Sequence, residues 1–388
     1  FYNRQVYFCS PPQSDIVIFD RSQSYIITKF ILTKRTALIF DTRPENIYIS
    51  IPIIYHFCKL LHIFNWRQIR TYKLQFKSRT KLAGYIYLKG IVSQLRFIFL
   101  LSCFYCIKPK IAITYIHNSG DFHKLCKYYK KAQFFVIQNG NVMSVDIKKT
   151  KTYMNHYFCH GEYTKDRYMK NGHAIDNYHP IGSLQAGYYK YNNKMINANK
   201  YEIGIVSEFV SNFDNSDLRI KEIIQTISLL YTFLNKYIRE YEISAAIFMR
   251  KSLGYNDEKE YLRKFFGDSV KYIFHDSKKM STYFGMDISE IVVGCMSTAY
   301  IEAFGWGSKI LLADFTKNKN YTDVLNYDPM ITFQEPNYED FKKRLNELRR
   351  EPQEQYRKRT KGYASYLMYN NPNCPPHIYI RKKIDDYL

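Results

Sequence analysis

The chain of 388 residues has no Gly-x-Gly-x-x-Gly and no Walker A loop, and it is short of acidic residues. Without the glycine fingerprint, neither a dinucleotide cofactor nor P-loop chemistry is supported. There is also no zinc finger, basic-region heptad or RNA-binding aromatic signature. Its 38 Tyr and 27 Phe are spread along the chain and not gathered on a basic strand, so nucleic acid is not an expected partner. Long apolar runs are missing too. The run from Phe97 to Ile107, bounded by Arg96 and Lys108, is too short to span a bilayer and reads as a buried helix. The opening FYNRQVYFCS shows no basic head followed by an apolar run, so a cytoplasmic protein is expected. The eight cysteines are scattered. The single C-x-x-C, Cys103 and Cys106, has no second pair, and His156 and His160 lack the Glu of a zincin helix. Buried thiols are expected, not a metal or redox site.

What is present is basic charge. Lys and Arg number 57 against 35 Asp and Glu, a net charge of +22. Such a field attracts nucleic acid, anionic lipid surfaces, nucleotides or acidic glycans without choosing among them. The densest basic segment, Lys342 to Lys361, reads as a helix. It is either a solvated face or a patch resting on the inner leaflet of a membrane.

Short apolar runs alternate with helical patterns. Ile16 to Phe19, Ala37 to Phe40, Ile111 to Ile116, Phe134 to Ile137 and Tyr153 to Cys159 read as strands of a first half. Ile203 to Val206, Ala245 to Met249, Val270 to Phe274, Ile288 to Val293 and Ile310 to Ala313 read as strands of a second. Between them, Gly182 to Lys200 is polar, Asn-rich and without period, and reads as a linker. The expected organisation is a first Rossmann-like domain over residues 1–182, a linker over 183–200 and a second Rossmann-like domain over 201–388. Alternating β and α elements imply an α/β fold with parallel sheets and right-handed crossovers.

In parallel sheets ligands sit beyond the carboxyl ends of the strands. The most informative stretch there is DISEIVVGCMSTAYIEAFGWGSKILLAD, Asp287 to Asp314. It predicts a strand, a turn, a helix from Thr298 and a second strand. A helix opening on Ser297 and Thr298 presents unpaired N–H groups, two hydroxyls and the positive dipole end, a place for a phosphate. The other strand-end residues are Asp20, Asp41, His117 to Asp121, Gln138 to Gly140 and His160 to Glu162 in the first half. The second half adds Ser207, Glu208, Arg250, Lys251 and His275. Across a cleft, the second set would hold a leaving phosphate while the first activates an acceptor.

The succession VIQNG (Val136 to Gly140), HGEY (His160 to Tyr163), PIGS (Pro180 to Ser183), GIVSEF (Gly204 to Phe209) and CMSTAYIEAFGWGSKILL resembles bacterial surface-carbohydrate glycosyltransferases of the two-domain GT-B type. The flavour is that of β-Kdo transferase domains, and more distantly of CDP-glycerol glycerophosphotransferases. The likeness runs from about Ile111 to Leu312. It implies a GT-B fold and transfer of a sugar, Kdo or a related acidic sugar from a CMP donor, onto a surface polysaccharide or lipid-linked glycan. The nucleotide sugar would be a co-substrate, with no cofactor. It implies that Ser297 and Thr298 hold the donor phosphate and that Glu302 faces the ribose, with Arg250, Lys251, His275 and Met296 also on the donor. Arg250 and Lys251, in MRKS, stand where many related enzymes carry a His-Pro or basic motif touching the donor. Gln138, Asn139, Gly140 and Ser183 would line the acceptor side. Candidates for the catalytic carboxylate are Glu208 first, then Asp121, Glu162 and Asp214. No Asp-x-Asp stands out, so metal-independent transfer is expected, with Arg and Lys in the cation's role. The alternatives are a CDP-glycerol or CDP-ribitol phosphotransferase and a non-catalytic binder of polyanions. A lipid-linked acceptor would bring the protein to the inner membrane through its basic face.

Overall fold

The computed structural model describes residues 5–19, 21, 23–40, 46–75, 81–141, 147, 151–193, 200–209, 217–250, 255–318 and 327–388. Asp20, Asp41, Asp214 and Lys251 lie outside the described residues. Runs of β-branched and aromatic residues form the strands of two sheets, and nearly every central strand is buried on both faces, as parallel sheets covered by helices require.

The first domain is built from β1 (Gln5–Tyr7), β2 (Ile16–Ile18), α1 (Ser24–Phe30), β3 (Leu38–Ile39), β4 (Asn46–Tyr48), α2 (Ile51–Gln75), α3 (Lys81–Ile107), β5 (Ile111–Thr114), α4 (Gly120–Tyr128), β6 (Gln133–Ile137), β7 (Tyr153–Cys159), α5 (Glu162–Lys170) and β8 (Ala174–Pro180). Its six-stranded sheet has the order β3-β2-β5-β6-β7-β8, all parallel, and β1 pairs with β4 apart from it. The chain order reverses between β2 and β5. The apolar run at Phe97 is the packed half of α3. Phe97, Ile98, Leu101 and Phe104 enter the core with Phe122 and Phe134.

Helix α6 (Leu184–Asn192) follows, with Leu184 in the first domain's core. The second domain has β9 (Tyr201–Val206), α7 (Leu218–Glu240), β10 (Ala245–Phe248), α8 (Tyr255–Phe266), β11 (Lys271–Ile273), α9 (Ser281–Asp287), β12 (Ser289–Gly294), α10 (Thr298–Gly305), β13 (Lys309–Ala313), β14 (Thr332–Phe333), α11 (Tyr338–Arg350) and α12 (Gln353–Leu367), and α13 (Pro376–Asp385) ends the chain's elements. The sheet order is β11-β10-β9-β12-β13-β14, again all parallel. Here the order reverses between β9 and β12.

Three expectations need correction. The segment read as a linker opens with helix α6. Ser183 caps it by accepting the Ala186 N–H at 3.3 Å, and Leu184, Ala186 and Tyr189 are buried. Tyrosine among Asn and Lys hid this apolar face from a count of hydrophobic periods. The basic run read as one helix is two, α11 and α12, parted at Pro352, whose ring cannot sit inside a helix. Finally, residues 201–388 do not all belong to the second domain. Helix α13 returns to the first, where Ile380 and Ile384 share a core with Ile18, Ile113 and Phe135. Arg381 donates to the carbonyls of Phe30 at 2.8 Å and Ile31 at 3.0 Å, the open end of α1.

Candidate functional site

The carboxyl ends of both sheets face a cavity of ≈640 Å³, within the range of about 300–1,000 Å³ usual for ligand pockets. Its walls come from the points where strand order reverses. The first domain contributes α1 through Tyr25, Ile26, Lys29 and Phe30, with Asn139 after β6 and Gln185 on α6. The second contributes Glu208 after β9, Arg219, Ile220 and Ile223 on α7, Arg250 after β10, His275 after β11, and Met296 to Ala299 with Glu302 at the head of α10.

The turn into α10 is shaped by its neighbours. A Cβ at Gly294 would fall 1.8 Å from the ring of Tyr300, so only glycine lets that ring lie across the end of β12. The Tyr300 hydroxyl then donates to the Val206 carbonyl at 2.8 Å, tying α10 to β9. Next to Val206, Glu208 turns inward. Its carboxylate accepts the N–H groups of Cys295, Met296 and Ser297, each at 2.7 Å. Burial pushes the Glu208 carboxyl up, while the three N–H groups and then Arg250 pull it back.

This bonding corrects the first choice of catalytic carboxylate. Glu208 is 5% exposed and its oxygens are taken by the turn. It holds the turn before α10 in shape, and those bonds occupy both of its oxygens. It also means that the turn's own N–H groups are occupied by an internal anion. What remains for a ligand is the helix proper. By helix geometry, the N–H groups of Thr298 and Ala299 have no intrahelical acceptor. Ser297 makes no capping hydrogen bond with its side chain and faces the cavity. Thr298 Oγ1 accepts the Asn141 N–H at 2.9 Å, a bond across the cleft, and so its own O–H is left to donate. Gly140 lies against the same oxygen, at 3.4 Å from where a Cβ would sit. Arg250 and His275 complete this wall, and His275 Nδ1 is buried without a hydrogen-bond partner. The helix dipole, the hydroxyls and Arg250 share this side of the cavity, an arrangement suited to an anion.

Glu302 is neither on the surface nor free. Ser183 Oγ donates to it through a short bond and Tyr283 also bonds it. Burial pushes the Glu302 carboxyl up, and the Ser183 and Tyr283 hydroxyls pull it back. It lines the cavity while joining α10 to the head of α6. Gln138 is a scaffold amide. Its Nε2 donates to the Gly140 carbonyl at 2.8 Å and its Oε1 accepts the His160 N–H at 2.9 Å, which leaves Asn139 as the member of that turn in the cavity wall.

Two further carboxylates were expected at the cleft and are not in its wall. Asp121, in the first turn of α4, pairs with Arg96 of α3 at 2.7 Å and is buried there. Glu162, in the first turn of α5, pairs with Lys165 at 2.8 Å and is half exposed. Both do what acidic residues at helix N-termini commonly do. Sequence reasoning missed Lys29, Arg219 and Tyr283. The first two had a signal: Tyr25 and Lys29 share a helix face at i,i+4, and Arg219 is in the first turn after the Asp217 cap. Tyr283 had none.

Behind the wall, His160 is 2% exposed, and its carbonyl accepts the Tyr369 N–H at 2.7 Å where the chain crosses back to the first domain. Burial and then the charge of His117 pull the His160 imidazole down to about 3. A histidine depressed in the fold and ordinary in the unfolded chain favours the fold fully above about pH 6.5. That contribution is lost as pH falls from there toward the folded value. At pH 5, His160 alone should cost about 2 kcal/mol relative to pH 7.5. Burial also pulls His179 and His377 down, each to about 4, so they add in the same direction. Urea unfolding at the two pH values measures the loss, and H160F should lessen it. An unchanged pH dependence in H160F would show that His160 is not its source.

No family model and no curated protein sequence matches the chain. Solved structures match along its whole length. The Staphylococcus aureus MnaA structure with UDP is 12% identical, covers 99% of this chain and 96% of its own, and has a TM-score of 0.53. The UDP-GlcNAc 2-epimerase of Methanocaldococcus jannaschii is 10% identical, with 96% and 99% covered and a TM-score of 0.51. The fold is GT-B. At these identities the likeness establishes architecture, and the chemistry rests on the residues. In a GT-B fold the cavity above lies between the two Rossmann-like domains, where the expected α/β halves face each other.

Proposed function

We propose that the chain is a glycosyltransferase that takes a sugar from a nucleotide donor bound in the interdomain cavity. The observation that carries this reading is the head of α10. It opens into the cavity with Ser297 uncapped, with Arg250 at hand and with His275 Nδ1 unpartnered. The donor diphosphate or phosphate is placed on the N–H groups of Thr298 and Ala299 and on the two hydroxyls. The positive charges of Arg250, Arg219 and Lys29 would stabilise the leaving phosphate as the glycosidic bond breaks. The acceptor enters along the first-domain wall, past Asn139 and α1. A surface polysaccharide or lipid-linked glycan is the acceptor class that the sequence resemblance supports, in a cytoplasmic protein at the inner face of a membrane.

The nucleotide is a pyrimidine. CMP follows from the sequence resemblance, and the UDP held by the S. aureus MnaA structure favours the second choice. The test is a thermal-shift series with CMP, CDP, UDP and GDP. A ligand at a hundred times its Kd adds about 2.7 kcal/mol to the native state. CMP, CDP or UDP should raise the melting temperature by several degrees. S297A/T298A should weaken that ligand at least tenfold, about 1.4 kcal/mol, while T298S keeps both the Asn141 bond and the response. No response to any of the four ends this reading. Conversion of UDP-GlcNAc to its 2-epimer without an acceptor would replace it with an epimerase.

A further inference from the structure

The α2–α3 hairpin has a face that is bare among the described residues. From Asn46 to Gly120 the sequence contains no Asp or Glu, while Lys and Arg recur from Lys59 onward. Ile53 and Leu60 of α2 turn into the core, as an amphipathic helix should. The opposite side should then be polar, and it is not. Ile51 is 84% exposed, Ile54 52%, Tyr55 61% and Ile63 57%. Lys59 is the only Lys, Arg, Asp or Glu between Ile51 and Ile63. Phe8, 85% exposed, extends the surface from the β1–β4 pair, which Ser10 joins to Ser50 at the start of α2.

Exposed apolar surface beside Lys59, Lys108 and Lys131, all of which act on His56 of α2, has a specific physical complement. A second copy of the chain would meet this face with the same positive charge, since a two-fold contact sets a patch against itself. An anionic bilayer answers both properties, with headgroups for the cations and acyl boundary for the isoleucines. Spanning is a different matter. The window Gly90–Ile107 of α3 has the length and composition of a membrane span, but half of it is packed inside the first domain. Extracting it would remove Phe97, Leu101 and Phe104 from the core.

The face lies at the amino edge of the first sheet: His56 of α2 stacks on Tyr105, close to where α3 leads into β5. The cavity opens at the other edge, at Asn139 and α1, so docking leaves it uncovered.

We propose that the outer face of the α2–α3 hairpin docks on an anionic lipid surface, where the protein lies without crossing it. The docking goes beyond the nucleotide-sugar reading and is tested apart from it. The full chain would be sedimented with vesicles of phosphatidylcholine alone and of phosphatidylcholine with phosphatidylglycerol. Binding should be at least about tenfold tighter to the anionic vesicles and should weaken with salt. I51E/I54E should lose about tenfold of that binding, and so should F8E, while K343E/K358E on α11 and α12 should keep it. Each variant's melting temperature reports folding. Equal binding by wild type and I51E/I54E overturns the proposal, as does loss through K343E/K358E instead. A dimer in solution that I51E/I54E dissolves, without vesicle binding, gives the face to a second copy and also overturns it. Vesicle binding by a protein that answers no nucleotide would leave the docking standing and remove only the donor reading.

Discussion

E208Q is expected to lower the unfolding free energy by about 3 kcal/mol and to abolish the nucleotide-induced rise in melting temperature. Glutamine keeps one acceptor oxygen for Met296 and Ser297 and turns its NH2 group against the N–H of Cys295. At a fully buried site neither that N–H nor the new amide can turn to water. The turn would open, and α10 would lose its aim at the cavity. Urea unfolding and thermal shift together separate two roles. If E208Q melted like wild type and still bound nucleotide while turnover vanished, Glu208 would be a group of the chemical step and the bonding described here would be incidental to it. Loss of both stability and binding is the result that a turn clamp requires.

G182A should be as damaging, through the first domain's hold on the returning chain. Gly182 has φ +91°, a conformation that costs an L side chain about 1–2 kcal/mol. Its Cβ would also fall 2.2 Å from the Tyr369 carbonyl oxygen, and backbone cannot swing aside as a side chain can. The overlap adds about 1–3 kcal/mol. Tyr369 is the residue whose N–H is held by His160, so the crossing from α12 to α13 would be displaced at its anchor. A single sharp urea transition in the wild type should become broader and earlier in G182A. A variant with wild-type midpoint and slope would mean that the crossing yields freely.

Much of the architecture was legible because parallel strands buried on both faces leave short, unbroken apolar runs. Ile203 to Val206 and Ile288 to Val293 are examples, and both lie within a residue or two of β9 and β12. The helix at Thr298 was legible from its Ser-Thr opening after a strand. The bonds that decide what those residues do were not. Glu208 meets residues almost ninety positions later, a pairing set by β9 lying beside β12 in the sheet. Asp121 reads like any strand-end acid until α3 brings Arg96 to it. The bare side of α2 was hidden for the opposite reason. Its composition resembles a core helix, and only packing on one side reveals that the other side has no cover among the described residues.

The return of α13 has a consequence for how the molecule divides. The first domain is not a continuous piece of chain, because Ile380 and Ile384 complete its interior. A gene cut at the interdomain junction would encode a first half with a gap beneath α1 and a second half trailing an apolar helix. During translation the second sheet has all its strands before the first domain has its last wall. The domain made earliest is therefore sealed last, and neither half can be exchanged as a self-contained cassette without carrying the final helix with it.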